Sequence, residues 1–357
     1  MNFKLGELFC GPGGMALGAL SAEVVKGSRK FTISHGWAND YDPDTCQTYA
    51  NNISPENPSS VICEDVKKLK ISNLGTIDAF AYGFPCNDFS IVGESKGFEG
   101  EFGPLYTYGI KILNKFKPKF FVAENVGGLS SSNGGGALRK ILNDLSKAGN
   151  GYTMTAHLYR AEHYGVPQAR HRIVIVGIDK NLGLEFKVPS PTTLKKPKTA
   201  GQALKGIPKS ATNNEITKQS PIVVERLSHI KPGQNIWQTD LPPHLQLNVK
   251  GARLSQIYKR LDPDKPSYTI TGSGGGGTHG YHWGEPRALT NRERARIQTF
   301  PDTFEFYGEK ESVRKQIGMA VPVELSRVIF EAILKTFAKI EYDFVPSSIE
   351  IDTNKRR

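Results

Sequence analysis

The stretch Lys4-Leu5-Gly6-Glu7-Leu8-Phe9-Cys10-Gly11-Pro12-Gly13-Gly14 decides how this chain folds. Its apolar start reads as a strand, and the glycines turn that strand directly into a helix over 14–25 that contains Gly18. Glycine at such a turn lets the backbone approach a ligand closely and lets the helix pack tightly on the strand. The spacing is not that of the dinucleotide fingerprint. With Gly11 and Gly13 in place the third glycine would fall at position 16, which is Ala16.

Further apolar runs at 32–38, 77–84, 119–124, 153–159 and 172–178 predict strands, and 42–51, 105–116 and 136–148 predict helices between them. Strands separated by helices imply an α/β fold with a doubly wound, mostly parallel sheet covered on both faces. The pattern breaks near residue 187. Ten of the 22 prolines lie between 188 and 270, which disfavours long helices there. Residues 188–287 therefore read as a separate, irregular, partly β domain. Thr290 with Glu293 fits a capping box, and Pro322 is placed to open a last helix. The expected division is a discontinuous body of 1–187 plus 288–345, a smaller domain of 188–287, and a flexible tail of 346–357. The run from Gly272 to Gly280 reads as a flexible loop.

A chain of 357 residues with 38% hydrophobic and 23% charged side chains has the composition of a soluble globular protein. No apolar run approaches the ~18 residues of a membrane span, and no secretory leader is legible, so the expected location is the cytoplasm. The four cysteines, Cys10, Cys46, Cys63 and Cys86, form no CxxC pair and no Cys/His cluster at zinc spacing. A disulfide scaffold and a structural zinc site are thereby disfavoured. The formal net charge is +11, and residues 188–270 hold 13 Lys and Arg against five acids. That excess suits a face that binds a polyanion, above all nucleic acid, although charge alone does not separate it from a solvated surface.

Two acids strengthen the reading of a ligand at the glycine turn. Asp40 ends the second long strand and Asp65 follows VICE at the third. Carboxylates at the tips of consecutive strands can accept from ribose hydroxyls and an adenine amine, and Tyr41 offers a flat face for the base. The fourth strand ends in Gly83-Phe84-Pro85-Cys86-Asn87-Asp88-Phe89-Ser90, and the next in Glu124-Asn125-Val126. A free cysteine is usually a small core hydrophobe, but a strand's carboxyl tip is where open α/β sheets place ligands. Gln168-Ala169-Arg170-His171-Arg172 then enters the last strand. Alternation would put Arg170 and Arg172 on one face, with His171 turned away in a structural role. A thiol, an acid and two guanidiniums at one sheet edge suit covalent catalysis on an electron-poor ring.

The ordered blocks LFCGPGG, GFPCNDFS, ENV, QARHR, PSYTIT and GMAVPV resemble the DNA (cytosine-5) methyltransferases that use S-adenosylmethionine. The resemblance spans about residues 4–340 except the basic middle, where that family carries its target-recognition domain. It implies a Rossmann-like domain built from both chain ends, with S-adenosyl-L-methionine as donor, S-adenosyl-L-homocysteine as product and no metal. By that resemblance the donor touches Phe9, Gly11, Gly13, Gly14, Asp40, Tyr41, Asp65, Val66, Pro85, Leu105, Met319 and Ala320. Cys86 would be the nucleophile, and Glu124 would meet N3 and the exocyclic amine, carrying a proton to do so. Arg172, with Arg170 near it, would hold O2 and the phosphate. Ser90, Gln168, Arg226, Arg253, Arg260 and Thr269 are the candidate DNA contacts, with Gln234, Asn235 and Trp237 as further base-reading candidates. Asn87 and Met319 stand where the family more often has Gln and Asn.

The chemistry fits those residue types. Carbon 5 of cytosine is too weak a nucleophile to take a methyl group from a sulfonium, and thiolate addition at carbon 6 makes it enamine-like. Only a few per cent of a thiol with a pKa of about 8.5 is ionised at neutral pH, so the site must stabilise the anion. The base must also leave the stack, and the glycines of 91–103 suit a loop that closes on the DNA. The expected partner is double-stranded DNA, with an associated restriction endonuclease or defence system, no stable protein partner and a monomeric state. Three other readings remain open: a tRNA cytosine-5 methyltransferase, a catalytically silent DNA-binding regulator, and a nicotinamide oxidoreductase. Ser90, where the tRNA branch typically has Thr, and the long basic insert favour DNA over the first. The intact Cys86, Glu124 and Arg172 set argues against the second, and Ala16 against the third.

Overall fold

The computed structural model describes residues 1–85, 105–130, 135–248, 254–272, 274 and 277–351. Cys86, Asn87, Ser90, the glycine-rich stretch 91–103 and Arg253 lie outside the described residues. The chain divides into two compact units, one of residues 1–160, 171–191 and 323–357, the other of 161–170 and 192–322.

The first unit opens with β1 (Asn2–Leu8), α1 (Gly14–Ser21), β2 (Glu23–Lys26), β3 (Arg29–Asp40), α2 (Pro43–Ile53) and β4 (Val61–Cys63). It continues through β5 (Ala79–Gly83), α3 (Tyr106–Phe116), β6 (Phe120–Val126), α4 (Gly136–Lys147) and β7 (Tyr152–Arg160). Strand β8 (Gln168–Ala169) belongs to the second unit, after which β9 (His171–Asp179) and β10 (Val188–Pro189) return to the first. The second unit then holds α5 (Ala200–Leu204), α6 (Pro221–His229), β11 (Ser267–Tyr268), α7 (Asn291–Ile297) and α8 (Lys310–Met319). The chain ends back in the first unit with α9 (Val323–Ala338) and β12 (Phe344–Val345).

Eight strands form one sheet in the order β2-β3-β1-β5-β6-β9-β7, with β4 paired to β3. The ladders β1–β3, β1–β5, β3–β4 and β5–β6 are parallel, whereas β2, β7 and β9 run antiparallel to their neighbours. Successive residues of β6 show why both faces are covered. Phe120 meets Phe3, Phe330 and Phe337 on the face under α9, and Phe121 meets Tyr152 on the opposite face, in the core it shares with α3 and α4.

Four segments differ from expectation. Helix α1 stops at Ser21 rather than 25, because Ala22 is extended and Glu23–Lys26 pairs with Arg29–Thr32 as a hairpin. The β-branched Val24 and Val25 suit that strand, and Gly27, at a φ of 56°, suits its turn. The tail expected to be flexible from 346 is held as far as Ile351. Ser347 Oγ donates to the Ala156 carbonyl, Ser348 Oγ accepts from Leu158 N at 2.8 Å, and Ile349 bridges Ala156, so the segment covers the outer edge of β7. Residues 161–170 and 288–322, expected in the larger body, belong to the second unit.

In that second unit the β content is slight. Strands β8 and β11 pair over two residues each, joined by isolated bridges at Arg260, Tyr281 and Ala288. Thr290 and Glu293 close the predicted capping box at the start of α7. Irregular backbone leaves carbonyls without ladder partners, and arginines serve them. Arg292 donates to the carbonyls of Thr212, Pro301 and Phe304, and Arg296 to those of Ala203, Lys205 and Gly206.

Helix α9 completes the first unit by packing on α1. A Cβ at Gly18 would lie 2.4 Å from the Val323 carbonyl and 2.5 Å from Ser326 Cβ, and Ser326 Oγ donates to the Met15 carbonyl at 2.7 Å. Gly18→Val should therefore lower the unfolding free energy by about 2 kcal/mol, read from the urea midpoint. An unchanged midpoint would rule out this contact as a determinant of the fold.

Candidate active site

At the carboxyl ends of β1, β3, β4 and β5 the first unit gathers the residues expected around a nucleoside. Phe9, Gly11 and Gly13 all have positive φ (53°, 55° and 98°), so the chain leaves β1 through left-handed turns and starts α1 at Gly14. The Gly11 position is open, with nothing within 4 Å of where a Cβ would sit. Asp40 organises this turn. Its Oδ2 accepts from Gly11 N at 3.0 Å, and its Oδ1 accepts from Tyr41 N at 2.8 Å and Asp42 N at 3.2 Å. Burial pushes the Asp40 carboxyl above its ordinary value, against the opposing pull of those three N–H groups.

Tyr41 is 63% exposed. Asp65 is exposed, with its Oδ1 accepting from Lys67 N, while Val66 beside it is buried. Pro85 is half-buried just beyond β5, and Leu105 is buried at the start of α3. Met319 and Ala320, the remaining expected cofactor contacts, fall in the second unit, Met319 63% exposed and Ala320 buried at the end of α8.

The ladder next to this edge places the acid and one guanidinium. Gly83 of β5 stands opposite Glu124 of β6, and Val126 stands opposite Arg172 of β9. Glu124 and Val126 share a face, so Arg172 is a diagonal neighbour of Glu124, and its Nε donates to Glu124 Oε1 at 2.8 Å. Both side chains are 13% exposed. A Cβ at Gly83 would lie 3.1 Å from Glu124 Oε2, so the glycine gives the carboxylate its room. Asn125 ties the two strand ends together: its Nδ2 donates to the Phe84 carbonyl at 3.0 Å, two residues before Cys86. The described chain leads to Pro85 at this same edge.

Arg170 is used otherwise than alternation predicts. Strand β8 ends at Ala169 and β9 begins at His171, so the two-residue period does not run through Arg170. Its guanidinium is buried in the second unit, donating to the carbonyls of Ile270 at 3.0 Å and Gly318 at 2.9 Å. His171 is exposed.

Several expected DNA contacts are likewise committed to the protein. Gln168 is fully buried, bonded to Gln298 and to Ile270 N. Arg260 is buried and serves the carbonyls of Leu227, Ile230 and His282, because the loops around it lack ladder partners. Arg226 donates to the Leu245 carbonyl, Thr269 to that of Ala169, Asn235 to that of Ser255 and Trp237 to that of Leu254.

Sequence reasoning missed Glu7, which lies in β1 beneath the glycine turn. It is 2% exposed and accepts from Tyr49 OH at 3.0 Å; Tyr49 also meets His35 Nδ1, whose other nitrogen meets Ser60. Burial pushes the Glu7 carboxyl up to about 8 and the His35 imidazole down to about 4. The signal was an acid at a position whose strand neighbours, Leu5 and Leu8, are core residues. Among the described residues there is no group of three or more side chains that could hold a metal ion, and no helix long and apolar enough to cross a membrane.

Comparison with known proteins adds four findings. The family described as C-5 cytosine-specific DNA methylase matches residues 3–335. The chain is 58% identical to the Type II methyltransferase M.BbvI of Brevibacillus brevis, over 99% of this chain and 96% of that one. It is 41% identical to the Type II methyltransferase M.NgoFVII of Neisseria gonorrhoeae, over 95% and 89%. The fold is that of a candidate DNA modification methyltransferase encoded within a prophage of E. coli, at a TM-score of 0.71 and 24% identity over 94% and 99% of the two chains.

Two outcomes test this geometry. Arg170→Met leaves two buried carbonyls without their donor and should cost about 2–4 kcal/mol of stability, seen as a lowered melting temperature. An unchanged melting temperature would contradict the role assigned to that side chain. For Glu7, the folded carboxyl titrates near 8 and the unfolded one near 4.5, so between those values only the folded state holds the proton. The contribution of Glu7 to stability is then complete below 4.5 and falls as pH rises to about 8. Glu7→Gln should remove that slope and gain on the parent by on the order of 2 kcal/mol between pH 5 and pH 8 in urea melts. Parallel pH profiles for the two proteins would sink this assignment.

Proposed function

The chain belongs to the C-5 cytosine-specific DNA methylase family, and on that premise we propose that Cys86 bonds transiently to carbon 6 of a cytosine swung out of duplex DNA. It is a site-specific DNA (cytosine-5)-methyltransferase. Its Type II relatives suggest that it is the modification partner of a restriction system.

The residues at the glycine turn fit the methyl donor of that family, S-adenosylmethionine. An open backbone position at Gly11, a carboxylate fixed by three N–H groups at Asp40 and an exposed ring at Tyr41 match an amino-acid chain, a ribose and an adenine. When bound, the donor supplies an electrophilic methyl group on a sulfonium and leaves as S-adenosylhomocysteine, with no metal in the scheme.

The observation that carries the catalytic reading is the Arg172–Glu124 pair at the edge to which the chain leads just before Cys86. Glu124 Oε2 lies on the side of Gly83, and in this reading it meets the amidine edge of the base. With Oε1 held by Arg172, Glu124 carries a proton and donates it to N3 as the thiolate adds to carbon 6 and N3 gains negative charge. Asn125 fixes the Phe84 carbonyl and with it the approach of the chain to Cys86. Loss of the carbon-5 proton after transfer expels Cys86. Unstacking the base costs a few kcal/mol, offset by contacts from the enzyme in the vacated helix. Reading of the target sequence belongs to exposed side chains of the second unit, not to Gln168 or Arg260.

Cys86→Ser should abolish methyl transfer while leaving affinity for S-adenosylmethionine within about twofold of the parent. With a duplex carrying 5-fluorocytosine and donor present, the parent should yield a covalent protein–DNA species whose modified peptide contains residue 86. Retained turnover in the serine variant, or an adduct through another residue, overturns the proposal.

A further inference from the structure

The second unit buries more positive charge around α7 and α8 than its own acids neutralise. Arg294 of α7 is 3% exposed, and its Nη2 donates to the His279 carbonyl. Its Nε is buried and has no partner among the described residues. Arg314 of α8 is 13% exposed, with Nη1 3.4 Å from His279 Nδ1 and Nη2 bonded to Glu311 at 3.3 Å, and its Nε is likewise buried without a partner among the described residues. These two side chains, His279, Asn291 and Lys310 line one small cavity, whose rim also carries the exposed acid Glu215. Glu311, the acid paired with Arg314, is itself 85% exposed, so its screening by water is strong.

Two guanidiniums side by side in a poorly hydrated place repel one another, and each unmade N–H bond costs free energy. Burial, with Arg314 nearby, pushes the Arg294 guanidinium down to about 10, and it pushes His279 below its ordinary value, so the imidazole adds no charge at neutral pH. A carboxylate buried between the guanidiniums would relieve the conflict, yet Glu293, next to Arg294 in sequence, is spent on Arg287. The remaining demand is for an oxyanion from outside.

We propose that Arg294, Arg314 and Lys310 form a site for one phosphate group of the DNA backbone. The cavity is small, so a single phosphate oxygen enters toward the two guanidiniums while the rest of the group stays at the rim beside Lys310. Glu215 guards that rim and must turn aside, which sets a threshold that a stray anion meets poorly and a phosphate held in a long polyanion meets well. Such a contact carries no sequence information; it fixes the register of the second unit on the duplex. The source of the phosphate rests on the methyltransferase assignment, whereas the oxyanion chemistry does not.

The experiment measures binding of a labelled duplex of arbitrary sequence across a salt series, with S-adenosylmethionine affinity and melting temperature recorded for each protein. Arg314→Met should bind the duplex about tenfold more weakly and lower the slope of log affinity against log salt by about 1. Glu215→Gln, an exposed change that spares the fold, should bind it a few-fold more tightly. Glu56→Gln, an exposed acid of the first unit, should leave the slope unchanged and controls for net charge. Inorganic phosphate should compete with the duplex on the parent only in large excess, as the Glu215 threshold requires, and should have less effect on Arg314→Met. Parent-like slopes and affinities in both Arg314→Met and Glu215→Gln overturn the proposal. Phosphate binding that depends on Arg314 while the duplex slope does not assigns the site to a free anion, and overturns its use for DNA. A parent that binds donor but no duplex of any sequence would instead sink the choice of DNA as substrate.

Discussion

The register of three strands is the constraint on which the site depends. Parallel pairing of β5 with β6 sets Gly83 opposite Glu124, and antiparallel pairing of β6 with β9 sets Val126 opposite Arg172. A slip of one residue in either ladder would turn the carboxylate or the guanidinium to the other face of the sheet. The register is in turn secured by burial: Phe120, Phe121, Val122 and Ala123 precede Glu124 without a polar residue among them, and none can face water without large cost. The Glu124–Arg172 edge is thus positioned by the hydrophobic core that ends one residue before it.

The sheet was legible because its strands are short, apolar and bounded by turn residues, and six of them fall within a few residues of the spans read from sequence. The gathering of Asp40 and Asp65 at one edge of the sheet was legible for the same reason, since both lie at or just beyond strand ends. Arg170 was not, because alternation holds only within a continuous strand and the chain changes unit between Ala169 and His171. The tail was misread because its anchors are serines and a short β pairing to β10, none of which has a periodic signature. Glu7 was passed over because an acid in a strand ordinarily faces solvent, and only the tertiary contact with Tyr49 accounts for its burial.

The basic composition has a double meaning. Part of the cationic excess is surface charge suited to DNA. Another part is internal: Arg170, Arg226, Arg260, Arg292 and Arg296 donate to main-chain carbonyls that little secondary structure would otherwise satisfy. A guanidinium carries five donors in a rigid plane, so one side chain can staple several turns of irregular backbone. Net charge alone therefore overstates the surface available to phosphates. It also explains why charge-rich sequence near 188–320 can fold with so few strands.

The closure of α9 on α1 has a consequence for how the enzyme comes into being. Met15 and Ser326, joined by one hydrogen bond, are 311 residues apart in the chain. At synthesis rates of roughly 5–20 residues per second, the first helix waits on the order of half a minute for its covering partner. Until α9 arrives, the face of α1 around Gly18 that it covers stays open on the ribosome-bound chain, so the first unit closes only after the second has been made.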